Sequence, residues 1–329
     1  MKIAVVILNW NGQELLEKFL PSVVRYSDAA TVYVADNDST DDSVSLINVK
    51  FPTVKIIKNI ENFGFAKGYN EALKSIDADI LALVNSDIEV TENWLSPIIT
   101  TFENEPNTAI IQPRILDFKN KSSFEYAGAA GGFIDKYGFP FCRGRIFSTV
   151  EKDKNQYENS KIFWASGACF FIRYHVFKEL NGFDNDFFAH QEEIDLCWRA
   201  FNRNYNAKYV SESVVYHVGG ATLPMSNPQK TYLNFRNSLY MLLKNLPKNQ
   251  LLPIIFVRMI LDGIAAFKFL LEGKFLQFAA VIKAHNTFYW NLRTIFKKRD
   301  NFQKRNYYFI KSVVYCYFFK KGKTFDKLI

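Results

Sequence analysis

An apolar run at residues 80–84, Ile-Leu-Ala-Leu-Val, stops abruptly at Asn85-Ser86-Asp87. Such a run, bounded by polar residues, fits a strand covered on both faces, as in a parallel sheet. Open α/β sheets bind ligands beyond the carboxyl ends of their strands. Asp87 then stands where a hard cation carrying a diphosphate could meet a carboxylate oxygen, although a polar turn accounts for the same residues. A second cluster is Glu192, Glu193 and Asp195, at the expected start of a helix with apolar positions Ile194, Leu196, Cys197, Trp198 and Phe201. Crowded carboxylates raise one another's pKa, which suits a general base; acids in a first helical turn are equally what the helix dipole favours. His217 ends an apolar strand just before Gly219-Gly220, where a neutral imidazole could reach a metal or serve the packing. Arg236 and Asn237 sit in an aromatic-rich helical stretch at residues 231–246. That arginine offers either a cation to offset a departing diphosphate or a plain surface charge.

The elements that must position these groups begin with a strand at residues 3–8, which runs through Asn9-Trp10-Asn11-Gly12 into a helical pattern. A second strand at 31–35 stops at Asp36-Asn37-Asp38-Ser39-Thr40-Asp41-Asp42, whose short oxygen-bearing side chains favour turns and N-caps. A third at 54–57 leads through Asn59, Glu61, Asn62 and Gly64 into a helix over about 66–76, and the strand ending at Asp87 follows. This alternation predicts βαβ units and a parallel sheet. Asp36, an acid ending the second strand, is placed to hold a nucleoside. The GxGxxG fingerprint is absent from Asn9 to Gly12, which argues against hydride transfer. A helix is expected at 94–102, an apolar segment at 108–112, and loops with short strands over 117–160, with Gly131-Gly132 and Gly138 as hinges. Within 163–172, Trp164-Ala165-Ser166-Gly167-Ala168-Cys169 either lets backbone approach a ligand closely or forms a tightly packed core strand. A strand is expected at 209–218.

With 329 residues and 48% hydrophobic content the chain can bury a sizeable core. Cys142, Cys169, Cys197 and Cys316 show no metal-finger spacing, and no secretory signal precedes them, so a reduced, cytosolic setting is expected. The net charge of +8 is split: from Lys230 onward 19 Lys and Arg face 4 Asp and Glu, leaving residues 1–229 at about −7. An acidic front repels nucleic acid, so no nucleic-acid partner is expected and the basic back requires another one.

Together, Asn9-Trp10-Asn11-Gly12, Asp36-Asn37 with Ser39 and Asp41, Asn62-Phe63-Gly64-Phe65 with Gly68 and Asn70, Asn85-Ser86-Asp87, Gly167, Glu192-Glu193-Ile194-Asp195-Leu196-Cys197-Trp198-Arg199 and His217 resemble the family 2 glycosyltransferases, most closely their bacterial rhamnosyltransferase-like branch. The resemblance covers residues 1–245. It implies an α/β GT-A fold that uses a nucleotide sugar and Mn²⁺ or Mg²⁺ and inverts the anomeric centre. Asp36 matches the nucleobase contact, Asp87 the last residue of the metal-binding DXD motif, and His217 the histidine completing the metal site. Glu193 matches the catalytic base, with Asp195 as a substitute. Asn9, Asn62, Gly64, Asn85 and Arg236 fall among the expected donor contacts. Asn85 replaces the first Asp of DXD, leaving the metal more dependent on diphosphate oxygens, and Glu193 replaces an Asp, lengthening the base by one methylene. By analogy the acceptor is a glycan or lipid-linked saccharide in surface polysaccharide assembly; the alternative is a catalytically weak nucleotide-binding or scaffold protein at the membrane.

Residues 246–329 read as a separate basic, aromatic-rich helical segment. On a helix through residues 251–271, Arg258, Asp262, Lys268 and Glu272 fall within one arc and leave a broad apolar face. A second apolar stretch, 275–296, precedes Lys297-Lys298-Arg299. Association with an anionic membrane surface, at the cytoplasmic face of the inner membrane, is the favoured expectation. Packing on the catalytic half, homo-oligomer formation through these helices, and full crossing of the bilayer are the alternatives.

Overall fold

The computed structural model describes residues 1–219 and 227–328. Its N-terminal part is built as the alternation requires. Strand β1 (Ile3–Asn9), helix α1 (Gln13–Arg25), β2 (Thr31–Asp36), α2 (Ser43–Lys50), β3 (Lys55–Lys58), α3 (Gly64–Leu73) and β4 (Ile80–Asn85) form consecutive βα steps along one sheet. β1 pairs in parallel with both β2 and β4, and β2 with β3. The register sets Asn9 opposite Asp36 and Leu8 opposite Asn85, so the polar strand ends share one edge. After β5 (Ile88–Val90), α4 (Ser96–Asn104) and β6 (Thr108–Asp117), the chain makes a small antiparallel sheet from β7 (Gly132–Ile134), β8 (Pro140–Cys142), β9 (Arg145–Ile146) and β10 (Thr149–Val150).

It then returns through β11 (Ser160–Ile162) and β12 (Cys169–Arg173), and on by α5 (Tyr174–Glu179) and α6 (Glu192–Asn202) to β13 (Asn206–His217). The main sheet runs β11-β13-β6-β12-β4-β1-β2-β3, with β5 pairing β13. Of the two alternatives for 163–172, a core strand holds only from Cys169 onward, in β12, and the stretch from Trp164 to Ala168, including Gly167, crosses the carboxyl edge. Gly131-Gly132 and Gly138 are packing points rather than hinges. A Cβ on Gly132 would lie 2.0 Å from the Trp164 ring, and one on Gly138 2.4 Å from Leu242.

The core does not stop at residue 245. Helices α7 (Pro228–Asn245), α8 (Lys248–Leu271) and α9 (Phe275–Phe296) follow, then α10 (Val313–Phe318). Leu251, Ile254, Phe288, Ile295 and Tyr307 join the same apolar cluster as Leu81, Phe170 and Trp198. Tyr307 stacks on Trp198 at 4.8 Å. The tail also completes the small sheet: Phe309 N–H donates to the Ile134 carbonyl, and Val313 N–H to Asp135 Oδ2, both at 2.9 Å. Phe133 meets the rings of Phe309 and Phe325. Residues 246–328 thus pack on the core that the sheet and α6 share, across the boundary expected at residue 245. Among the described residues no helix is long and apolar enough to cross a membrane.

Candidate active site

The carboxyl edge of β1, β2 and β3 is tied by short polar side chains. Asp36 is buried and accepts from Asn9 Nδ2 at 3.2 Å and from Ser39 N–H at 3.1 Å. Ser39 Oγ in turn accepts from Asn11 N–H at 2.9 Å, so the loops after β1 and β2 move as one. Asn37 extends the chain of amides: its Nδ2 donates to Asn62 Oδ1 and to the Gly64 carbonyl, both at 3.0 Å, and its Oδ1 accepts from Asn59 at 2.9 Å. Gly64 opens α3 with a φ of +71°, and a Cβ there would meet the Phe188 ring at 2.6 Å, so only glycine fits. Asn9, Asp36, Asn62 and Gly64 are therefore one connected edge.

Beside it, β5 and β13 bring Asp87 and His217 together. Both are buried, with Asp87 Oδ1 3.1 Å from His217 Nε2. On the opposite ring nitrogen, Nδ1, lies Glu125 at 3.3 Å. Burial pulls the imidazole pKa down, and the flanking carboxylates of Asp87 and Glu125 more than reverse this, to about 10. One carboxylate oxygen and one imidazole nitrogen, both recessed, suit Mn²⁺ or Mg²⁺ when the cation takes the place of the proton on Nε2 and diphosphate oxygens complete the shell. No cluster of three or more His, Cys, Asp or Glu that could hold a metal by itself occurs among the described residues, in keeping with Asn85 standing where a second acid would be. Glu125 escapes sequence reasoning because it sits in the irregular segment before the small sheet, with no spacing to link it to His217.

The start of α6 faces this edge. Asn85 N–H donates to the Ala168 carbonyl at 2.9 Å, and the adjoining Gly167 lies beneath Glu193, whose side chain is 3.6 Å from where a Cβ would be. Burial raises the Glu193 pKa to about 7, against N–H groups of Glu193, Ile194, Gln191 and Gly167 that draw it down. Glu192 is raised well above its usual value by burial and by Glu193 and Asp195 nearby. Buried atoms without a hydrogen-bond partner among the described residues include four at the start of α6, His190 Nε2, Gln191 Oε1, Glu192 Oε2 and Glu193 Oε2, and Asn9 Oδ1 at the end of β1. A fold tolerates such orphans where a ligand or water is to be received.

Two expected site residues are not brought to this point. Asp195 is fully buried on the far side of α6, where Arg199 (2.8 Å), Lys244 (2.7 Å) and Asn245 (2.8 Å) occupy both of its oxygens. Those cations hold its pKa below the usual carboxylate range although burial pushes it up. It cannot substitute for Glu193. Arg236 is a clip instead of a diphosphate ligand: it donates to the carbonyls of Asp186 and Phe187 at 2.9 and 3.0 Å. Its neighbour Asn237 donates through one amide nitrogen to the carbonyls of Phe187, Ala189 and His190 at 3.0, 2.8 and 2.7 Å. The turn they hold carries left-handed φ at Phe188, His190 and Gln191, none of them glycine, immediately before Glu192. Strain of this kind persists only where surroundings over-determine it. Gly220, read with Gly219 as the glycine pair beside His217, lies outside the described residues.

A mixed sheet of this strand order, with Asp36 at the end of its second strand and Asp87 beside His217 at the same carboxyl edge, has the GT-A fold. The chain belongs to Glycosyl transferase family 2, whose profile matches residues 4–181. Among curated relatives it is 22% identical, over 65% of this chain and 75% of the relative, to N-acetylglucosaminyl-diphospho-decaprenol L-rhamnosyltransferase of Mycobacterium tuberculosis. It is also 22% identical, over 63% of this chain and 80% of the relative, to the rhamnosyltransferase WbbL of Escherichia coli. Among solved structures, S. aureus TarS 1-349 in complex with UDP-GlcNAc superposes with a TM-score of 0.57 at 15% identity, over 91% of this chain and 84% of TarS. GalNAc-T7 with UDP, GalNAc and Mn²⁺ gives 0.57 at 17% identity, over 73% of this chain and 48% of that one.

Proposed function

We propose that the chain is an inverting, metal-dependent hexosyltransferase that moves a sugar from a UDP- or dTDP-linked donor to a glycan or lipid-linked saccharide in surface polysaccharide assembly. Rhamnose is the sugar named for two of its relatives. The observation that carries the reading is Glu193, a carboxylate with one unpartnered oxygen and a pKa of about 7, set beside the Asn85–Asp87 strand end. Glu193 takes the proton from an acceptor hydroxyl as that oxygen bonds to the sugar C1. The C1–O bond to phosphate breaks on the opposite face and its electron pair leaves with the nucleoside diphosphate, so the anomeric configuration inverts. Asp87 and His217 would hold a Mn²⁺ or Mg²⁺ ion, which when bound would supply Lewis-acid neutralisation of that leaving charge. Asp36 and the asparagine edge orient the nucleoside, and Glu125 holds the His217 ring so that Nε2 faces Asp87.

The test is release of nucleoside diphosphate from a panel of UDP, dTDP and GDP sugars with Mn²⁺ or Mg²⁺. One donor is expected to turn over, and Asp87→Ala and Glu193→Gln to lower the rate by roughly 10²-fold or more. Asp195→Asn should lower stability and leave the pH profile of the remaining activity in place. If no donor turns over but nucleotide binding persists, the scaffold reading replaces catalysis.

A further inference from the structure

Helix α8 is turned inside out relative to a solvent-facing amphipathic helix. Its polar pair points into the protein: Arg258 and Asp262 are 5% and 1% exposed and share a 2.8 Å hydrogen bond. Arg258 also donates to Ser238 Oγ at 2.7 Å and lies 4.0 Å over the Phe139 ring, while His285 from α9 reaches Asp262 at 3.4 Å. The outer face carries Leu252, Phe256, Ile260, Ile264, Phe267 and Leu271, each between 50% and 78% exposed. At about 1.5 Å per residue this stripe runs on the order of 28 Å. Across the turn, Phe275 and Leu276 continue it at 66% and 69% exposure. Soluble surfaces rarely leave so long an apolar patch uncovered.

What covers it is indicated by charge. Lys248, Lys268, Lys274, Lys283 and Arg293 are all exposed on these two helices and the turn between them. Of the four acids in residues 246–328, Asp262 is buried against Arg258, Asp300 is tied to Arg203 at 2.6 Å, Asp326 lies in the tail, and Glu272 alone stands at the turn, 2.6 Å from Lys274 and 3.6 Å from Lys268, so the hairpin surface stays cationic. A second copy pairing stripe to stripe would bring cations together in either direction: Lys268 on Lys268 if parallel, and Lys248 toward the turn that carries Lys274 if antiparallel with 252 against 271. An anionic lipid leaflet accepts both the stripe and the fringe.

We propose that the α8–α9 hairpin is a monotopic membrane anchor, with the 252–271 stripe lying in the plane of an anionic leaflet at the acyl boundary and the fringing lysines at the phosphates. The inward Arg258–Asp262 pair is what makes this possible, because the protein satisfies the helix's charges and leaves the lipid only hydrocarbon. This reading stands apart from the sugar-transfer chemistry, and its test uses neither donor nor acceptor.

The experiment is flotation of the full chain with vesicles of phosphatidylcholine alone or mixed with phosphatidylglycerol. Binding is expected on the mixed vesicles. The triple variant Phe256→Ser, Ile260→Ser and Phe267→Ser should lower partitioning by at least ~10-fold, with an unchanged unfolding transition because all three side chains lie on the surface. Lys268→Glu with Lys274→Glu should remove the preference for phosphatidylglycerol. Absence of binding to either vesicle, or equal binding by the triple variant, overturns the proposal. So does a dimer in solution that the triple variant converts to monomer without any vesicle binding, since the second copy would then be the occupant.

Discussion

Glu193 illustrates how catalysis and stability oppose each other within one carboxyl group. Its pKa is about 7 in the folded protein against an ordinary value of 4.5. The folded state therefore holds this proton more tightly than the unfolded chain does. That contribution favours folding in full below about pH 4.5 and is lost as pH rises to about 7, above which an ionised carboxylate stays buried at a cost. Glu193→Gln should accordingly raise the unfolding free energy at pH 8 by on the order of 2 kcal/mol, a gain that disappears near pH 4.5, while turnover collapses. Denaturant melts at the two pH values read this directly. Wild-type turnover should climb with pH through about 7, since the ionised form is the base. Equal stability of the two proteins at pH 8 would refute the buried-carboxylate account.

At the scale of elements, the turn before α6 is the part most dependent on its neighbours. Its three left-handed residues are held by carbonyl bonds from Arg236 and Asn237 on α7, and the Phe188 carbonyl caps the first N–H groups of α3 at 2.9 and 3.3 Å. Asn237→Ala should lower stability by about 1–3 kcal/mol. Amide exchange at residues 188–191 should quicken, and kcat should fall more than nucleotide affinity. An unchanged exchange pattern would show that the turn holds itself. This turn also marks where the sequence stops being legible. Strands ending in Asn9, Asp36 and Asn85 announce themselves, because a short apolar run that halts at turn-forming polar residues fits a buried strand reaching an edge. The pairing of Glu125 with His217, the sealing of Asp195 by Lys244 and the redirection of Arg236 depend on residues 92, 49 and 50 positions away, where no local spacing operates. The polar arc of α8 was likewise readable from periodicity, but periodicity does not say which face a helix turns toward the protein.

At the scale of the whole molecule, residues 246–328 pack on the same apolar core as the sheet. Tyr307 on Trp198, Asp300 on Arg203 and the tail on the small sheet all cross the expected boundary at residue 245. A fragment of residues 1–245 should thus keep secondary structure but lose fixed packing. It should show weak near-ultraviolet dichroism and strong dye binding where the full chain shows neither; a native-like fragment would restore the two-domain view. The same closure has a temporal side. Asp135 waits for Val313, 178 positions later. At synthesis rates of about 5–20 residues per second that is a delay on the order of ten to forty seconds. For that interval Phe133 and Phe141 lack their cover on the nascent chain, while the apolar hairpin that emerges before the closing tail is free to find a surface first. On the proposed anchor, contact with a leaflet would thereby come before completion of the fold, since the residues that cover Phe133 are made last.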